Sequence, residues 1–206
     1  MTNKGRFISL EGIDGSGKTS LLESIREYLQ GTGYEVLTIR EPGGTLISEK
    51  IRIMLLDVKN AGILPGTEAL LYAAARSQVV EEVIRPALAR GQMVLADRYL
   101  DSTIAYQGYG RGLEIEYLNQ LNQLCTGGLV PHLTLLLDVD PAEGARRRKK
   151  DIPDRLEKEG LEFQDRVRRG YMELSRQQPA RIKVIDAGMA RTDVMAQAMP
   201  YLKAVL

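Results

Sequence analysis

The segment Gly12-Ile13-Asp14-Gly15-Ser16-Gly17-Lys18-Thr19 restricts this chain more than any other. It fits the pattern Gly-x-x-x-x-Gly-Lys-Ser/Thr at every fixed position. A short apolar run precedes it and a helix-spaced stretch follows, which is the strand–loop–helix setting the pattern needs. Glycines let the backbone turn tightly and aim successive N–H groups inward, and the next helix adds its positive end. Such a concavity suits phosphate oxygens. Lys18 can reach the β- and γ-phosphates, and the Thr19 hydroxyl can ligate Mg²⁺. The motif therefore implies a bound nucleoside triphosphate with Mg²⁺. By itself it does not separate kinase, GTPase and ATPase.

The remaining pattern sets the fold class. Apolar runs at 6–10, 36–39, 93–96 and 133–139, with a weaker one at 182–185, are short and end in polar or Gly-rich turns. Runs of this kind fit strands buried on both faces of a parallel sheet. Helix-spaced segments fall between them, at 18–30, 46–56, 67–90, 115–125, 141–150, 161–176 and 191–205. The alternation predicts an α/β fold, a three-layer α/β/α domain of P-loop NTPase type. A length of 206 residues suits one domain. The glycines within 31–33 and 108–112 read as loops or caps.

Composition removes several chemistries. Cys125 and His132 are each the only residue of their kind, which argues against a disulfide, a zinc site or a Ser-His-Asp triad. A net charge of +1 gives no global attraction to nucleic acid or anionic membranes. No apolar stretch approaches the ~20 residues of a membrane span, and the first residues carry no apolar signal core. The expectation is a soluble, cytoplasmic protein.

Two strands end in aspartate, at Asp97 and Asp138, where open α/β sheets bind ligands. Asp97 can hold Mg²⁺ directly or through water, and Arg98 beside it can clamp a phosphate. Asp138 either faces the same crevice or caps the next helix. The run Arg146-Arg147-Arg148-Lys149-Lys150, followed by Asp154-Arg155, lies where a lid at about 143–158 would close over phosphates. An arginine on a closing segment would add positive charge and exclude water. Spacing alone does not say which one.

Five segments together resemble the thymidylate kinase family: 7–19, Arg40-Glu41-Pro42-Gly43-Gly44-Thr45, Leu70-Leu71-Tyr72-Ala73-Ala74-Ala75-Arg76, 97–108 and Leu137-Asp138-Val139. The resemblance implies a five-stranded parallel sheet, ATP as phosphoryl donor with Mg²⁺, dTMP as acceptor and a homodimer. It implies that Gly12 to Thr19 bind ATP and that Thr19 and Asp97 hold the metal. It assigns the dTMP 5′-phosphate to Arg52 and Arg98, thymine stacking to Tyr72 and base hydrogen bonding to Arg76. Pro42, Ser102, Tyr106 and Gln107 would line the nucleoside pocket. Lys18, Asp14, Arg98 and a lid arginine, Arg148 before Arg155, would be catalytic. One departure is informative. Some relatives carry a basic residue after the P-loop acid, whereas this chain has Gly15 and a basic lid, as in the bacterial type. The competing readings are a deoxynucleoside kinase, another nucleoside-monophosphate kinase and a nucleotide-dependent switch without turnover. The several arginines favour an acceptor that is already charged.

Overall fold

The computed structural model describes residues 5–148 and 153–206. Five strands form one fully parallel sheet in the order β2-β3-β1-β4-β5. They are β1 (Arg6–Glu11), β2 (Val36–Arg40), β3 (Met93–Asp97), β4 (Leu133–Asp138) and β5 (Ile182–Asp186). Every residue of β4 but the last is buried, as its unbroken apolar run requires. The chain moves from β1 outward to β2 on one side and, after β3, crosses to β4 on the other. The crevice beyond the carboxyl ends of β1, β3 and β4 is thus the topological switch point.

Helices α1 (Lys18–Gly31), α2 (Leu46–Leu56), α3 (Pro65–Val79) and α4 (Arg85–Ala89) precede or flank β3. Then come α5 (Leu100–Thr103), α6 (Ile115–Thr126), α7 (Pro141–Arg147), α8 (Leu161–Gln177) and α9 (Arg191–Val205). The large core cluster joins β1 and β4 to α1, α8 and α9 through residues such as Ile8, Leu135, Ile25, Val167 and Ala198. A second cluster, with Phe7, Val79, Val94 and Tyr99, fills the opposite face. The five-stranded α/β expectation holds.

Two helices differ from the pattern read in the sequence. The stretch expected as one helix at 67–90 is interrupted by a π-helical turn, Val80–Ile84, before α4. Pro86 lies in the first turn of α4 and has no N–H to give, so the ladder re-registers just ahead of it. The glycines at 108–112, read as loop, begin inside a second π-helical segment, Ile104–Gly110. A Cβ on Gly110 would sit 2.8 Å from the Phe163 ring, so the missing side chain lets α8 pack directly on this segment. Lys149 and Lys150, part of the expected lid, lie outside the described residues.

Candidate functional site

The loop between β1 and α1 has the shape the motif predicts. Gly12, Gly15 and Gly17 all have positive φ, which side chains disfavour. At Gly15 a Cβ would collide with the Gly144 carbonyl of α7. No side chain fits there, so this chain cannot place a basic residue at that loop position. The same close approach brings the end of α7, with Arg147 and Arg148, to the mouth of the loop.

Inside the loop, Lys18 Nζ donates to the carbonyls of Gly12 (3.1 Å) and Ile13 (3.0 Å). Burial, then the neighbouring Arg98, lowers its pKa to about 8. The Ser16 hydroxyl is buried and meets no partner among the described residues. That atom costs free energy unless something polar reaches it, and a phosphate oxygen would. Thr19 Oγ1 donates to Asp97 Oδ2 at 3.3 Å, so the two residues expected to hold metal stand together. No group of three or more acidic, His or Cys side chains clusters among the described residues. One hydroxyl and one carboxylate fit Mg²⁺, which keeps waters and phosphate oxygens as its other ligands.

Arg98 is the hub. It is the one non-glycine described residue with positive φ, 72°, a conformation retained only where the surroundings enforce it. The enforcement is visible. Its Nη1 donates to Gly12 O (2.8 Å) and Tyr171 Oη (3.1 Å), and its Nη2 to Asp14 Oδ1 (2.6 Å) and Tyr106 Oη (2.9 Å). Burial works against the Asp14 carboxylate, but Arg98, Lys18 and Arg148 outweigh it and hold its pKa at about 2. Behind Arg98 lies Glu11, which accepts from Tyr99 N–H (2.7 Å), Ser102 Oγ (2.6 Å) and Tyr171 Oη (2.8 Å). Complete burial and the nearby Asp101 raise its pKa to about 7.

Two cavities meet at this hub. One of about 770 Å³ runs along the P-loop and is lined by Arg147, Arg148, Met189 and Arg191 at its outer side. A narrower one of about 90 Å³ is lined by Pro42, Tyr72, Arg76, Ser102, Tyr106 and Gln107. Asp14, Glu41, Arg52 and Arg98 line both. Arg52 Nη1 is steadied by Pro42 O at 2.9 Å. A meeting point flanked by two arginines thus joins the large cavity to a small aromatic slot.

Most of the expected site residues converge here, with three refinements. Arg76 lines the slot, but four of its five N–H donors are taken by Glu41 (2.6 Å), Thr103 (2.7 Å), Asn122 (3.0 Å) and Tyr99 O (3.0 Å). Arg148 lines the large cavity and pairs with Glu157 at 2.9 Å. Arg155, the second choice for a lid arginine, does not reach in. It is 6% exposed, donates to Leu55 O (2.7 Å) and pairs with Glu68 (2.6 Å). Its side chain is buried and ties α2 to α3. Asp138 likewise is no helix cap. It holds Arg168 through two bonds of 2.6 and 2.9 Å, while Asp140 caps α7.

Glu11, Glu68, Tyr171 and the outer Arg191 have no role in the sequence reading, whereas Arg147 belongs to the basic run placed over the phosphates. Glu11 had a signal, since it ends a strand as Asp97 does. Tyr171 had none: it reaches the hub from the middle of α8, 73 residues from Arg98 along the chain.

The sequence matches the family model described as Thymidylate kinase over residues 10–198. A thymidylate kinase of Desulforudis audaxviator is 54% identical over 204 residues, covering 97% of this chain and 92% of that protein. One from Caldanaerobacter subterraneus subsp. tengcongensis is 48% identical, covering 98% and 95%. Among solved structures, the crystal structure of thymidylate kinase from Ehrlichia chaffeensis superposes with a TM-score of 0.79 at 35% identity, covering 96% of this chain and 98% of that one.

Proposed function

Because the chain belongs to the thymidylate kinase family, we propose that its two joined cavities are the donor and acceptor halves of one phosphoryl-transfer site. The protein is a phosphotransferase that moves the γ-phosphoryl group of ATP onto dTMP, giving dTDP and ADP. The observation that supports the assignment of residues is the shared wall of Asp14, Arg52 and Arg98 between the P-loop cavity and the Tyr72 slot.

In this reading the P-loop N–H groups, Ser16 and Lys18 cradle the donor phosphates. Thr19 and Asp97 would hold Mg²⁺, which would supply positive charge to offset that of the donor phosphates. Arg52 and Arg98 fix the acceptor's 5′-phosphate in line with the donor, and Asp14 keeps Arg98 aimed. Transfer needs little covalent help from the protein, so positioning and positive charge carry the rate. Arg148 supplies charge from the lid at about 143–158, opposite Gly15, where the loop itself has none. Tyr72 stacks on the pyrimidine, and Arg76 and Gln107 meet its edge. Tyr106 packs against the sugar.

Kinetics of two variants test the division of labour. Tyr72→Ala should raise KM for dTMP with ATP KM intact, whereas Arg148→Ala should lower kcat about 100-fold. The reverse pattern would undo both assignments.

The acting form is proposed to be a cytoplasmic homodimer. Ile53 and Met54 of α2, Leu70 of α3 and Leu124 of α6 are exposed apolar side chains on helices that pack side by side. A second copy would cover them. Sedimentation at micromolar concentration reads this directly, and a monomer would refute it. No described helix is long and apolar enough to cross a membrane.

A further inference from the structure

Glu68 lies in the first turn of α3, one turn before Tyr72, and is completely buried. Three side chains converge on it, two by hydrogen bonds and one as an ion pair. Gln107 Nε2 donates to Oε1 at 2.8 Å. Arg111 donates from Nε to Oε1 and from Nη2 to Oε2, both at 3.2 Å. Arg155 Nη2 pairs with Oε2 at 2.6 Å. With two guanidinium groups directed at it, this carboxylate is an acceptor at both oxygens.

A glutamine amide fills nearly the same outline either way round, so its neighbours decide its orientation. Opposite Glu68 only the NH₂ end fits, because the carbonyl would set oxygen against oxygen. The Gln107 Oε1 is therefore turned away from Glu68. No donor among the described residues meets it, and Gln107 lines the slot beside Tyr72 and Arg76. We propose that Glu68 is a positioning residue that fixes the Gln107 amide with its carbonyl toward the base, so that the slot accepts a pyrimidine whose N3 carries a proton.

Arg76 lines the same slot, and an N–H of its guanidinium turned to the base edge would complete the pattern. A donor beside an acceptor matches the O4 and N3–H of thymine or uracil. Cytosine offers the opposite pair, an amino donor at C4 and a bare N3. A site that leaves its own polar groups unpaired against the wrong ligand rejects it strongly. The 5-methyl group plays no part in this selection, so Glu68 governs uracil and thymine alike. The proposal rests on the base-edge role given to Gln107 above.

The test is a double-mutant cycle with Glu68→Gln and Gln107→Leu, reading kcat/KM for dTMP and dCMP and KM for ATP. Glu68→Gln presents either end of an amide to Gln107 and releases its orientation. We expect the dTMP/dCMP selectivity ratio to fall about tenfold, mainly through KM for dTMP, with ATP KM unchanged. In the Gln107→Leu background the same substitution should leave the ratio where it was, since the group it orients is gone. An unchanged ratio in the single variant, or an equal fall in both backgrounds, overturns the proposal. A native dTMP KM in Gln107→Leu alone would instead overturn the base-edge role of Gln107 on which it stands. Should Glu68→Gln fail to fold, Glu68→Asp keeps the charge between Arg111 and Arg155 while withdrawing the oxygens by one methylene. It is read by the same ratio, with the same fall expected and the same overturning result.

Discussion

Truncating Arg98 to alanine removes four hydrogen bonds at once, to Gly12 O, Tyr171, Asp14 and Tyr106. The electrostatic part of the loss has a ceiling. The carboxyl of Asp14 falls from 3.8 to about 2 because Arg98, ahead of Lys18 and Arg148, overcomes the effect of burial. That fall is equivalent to about 2.5 kcal/mol of native stability. Because the native pKa is the lower one, the contribution is present above pH 3.8 and is lost as pH drops through about 2. Arg98→Ala should therefore be less stable by about 2 kcal/mol at pH 7, with Tm lower by about 4–8 °C, and the gap should narrow in acid. Arg98→Gly should recover about 1 kcal/mol of this, since glycine relieves the 72° φ that alanine inherits. Activity should fall alike in both, by at least ~100-fold in kcat/KM for dTMP, the usual effect of losing one charged donor at a transferring group. Calorimetry at pH 7 and pH 3, with ADP release under saturating ATP, measures both quantities. A folded alanine variant within tenfold of the native kcat/KM would refute the role given to Arg98.

Three further outcomes are expected. Lys18→Ala should lose at least ~100-fold in kcat/KM, about 3 kcal/mol of transition-state stabilisation, and a near-native rate would remove Lys18 from the mechanism. Glu11 has its native pKa raised from 4.5 to about 7, so folding favours its protonated form. The native protein should thus lose stability relative to Glu11→Gln as pH rises from 4.5 to 7, by up to ~3 kcal/mol, and stay level above that. Denaturant unfolding at pH 5 and pH 8 checks this, and a constant difference would contradict it. Arg155→Ala should cost about 3 kcal/mol of stability by breaking a buried pair, yet change kcat at saturating dTMP far less than Arg148→Ala does. An equal loss of kcat would return Arg155 to the transfer step.

The sequence carried the parts of this account that depend on local pattern. The P-loop is legible because each fixed residue answers a local need, and the strands because burial on two faces leaves unbroken apolar runs. The convergence of Arg52, Tyr72 and Arg98 came from resemblance, and the switch-point topology explains why those positions meet. What stayed hidden depends on long-range partners. Nothing near Arg155 signals that Glu68, 87 positions earlier, buries it. Nothing near Glu11 reveals that Tyr171 closes over it. The two π-helical turns escaped for a related reason. Helical periodicity runs through the first, next to the missing N–H of Pro86, while the glycines of the second read as loop although Phe163 packs directly on Gly110.

The central claim is that Arg52 and Arg98 receive a phosphate already carried by a deoxythymidine acceptor. ADP release with ATP and Mg²⁺, offering dTMP and thymidine in parallel at equal concentration, tests it most directly. Rapid turnover is expected with dTMP and none above background with thymidine, whose 5′-hydroxyl gives the two arginines no charge to hold. Turnover with thymidine at a rate matching dTMP would contradict it.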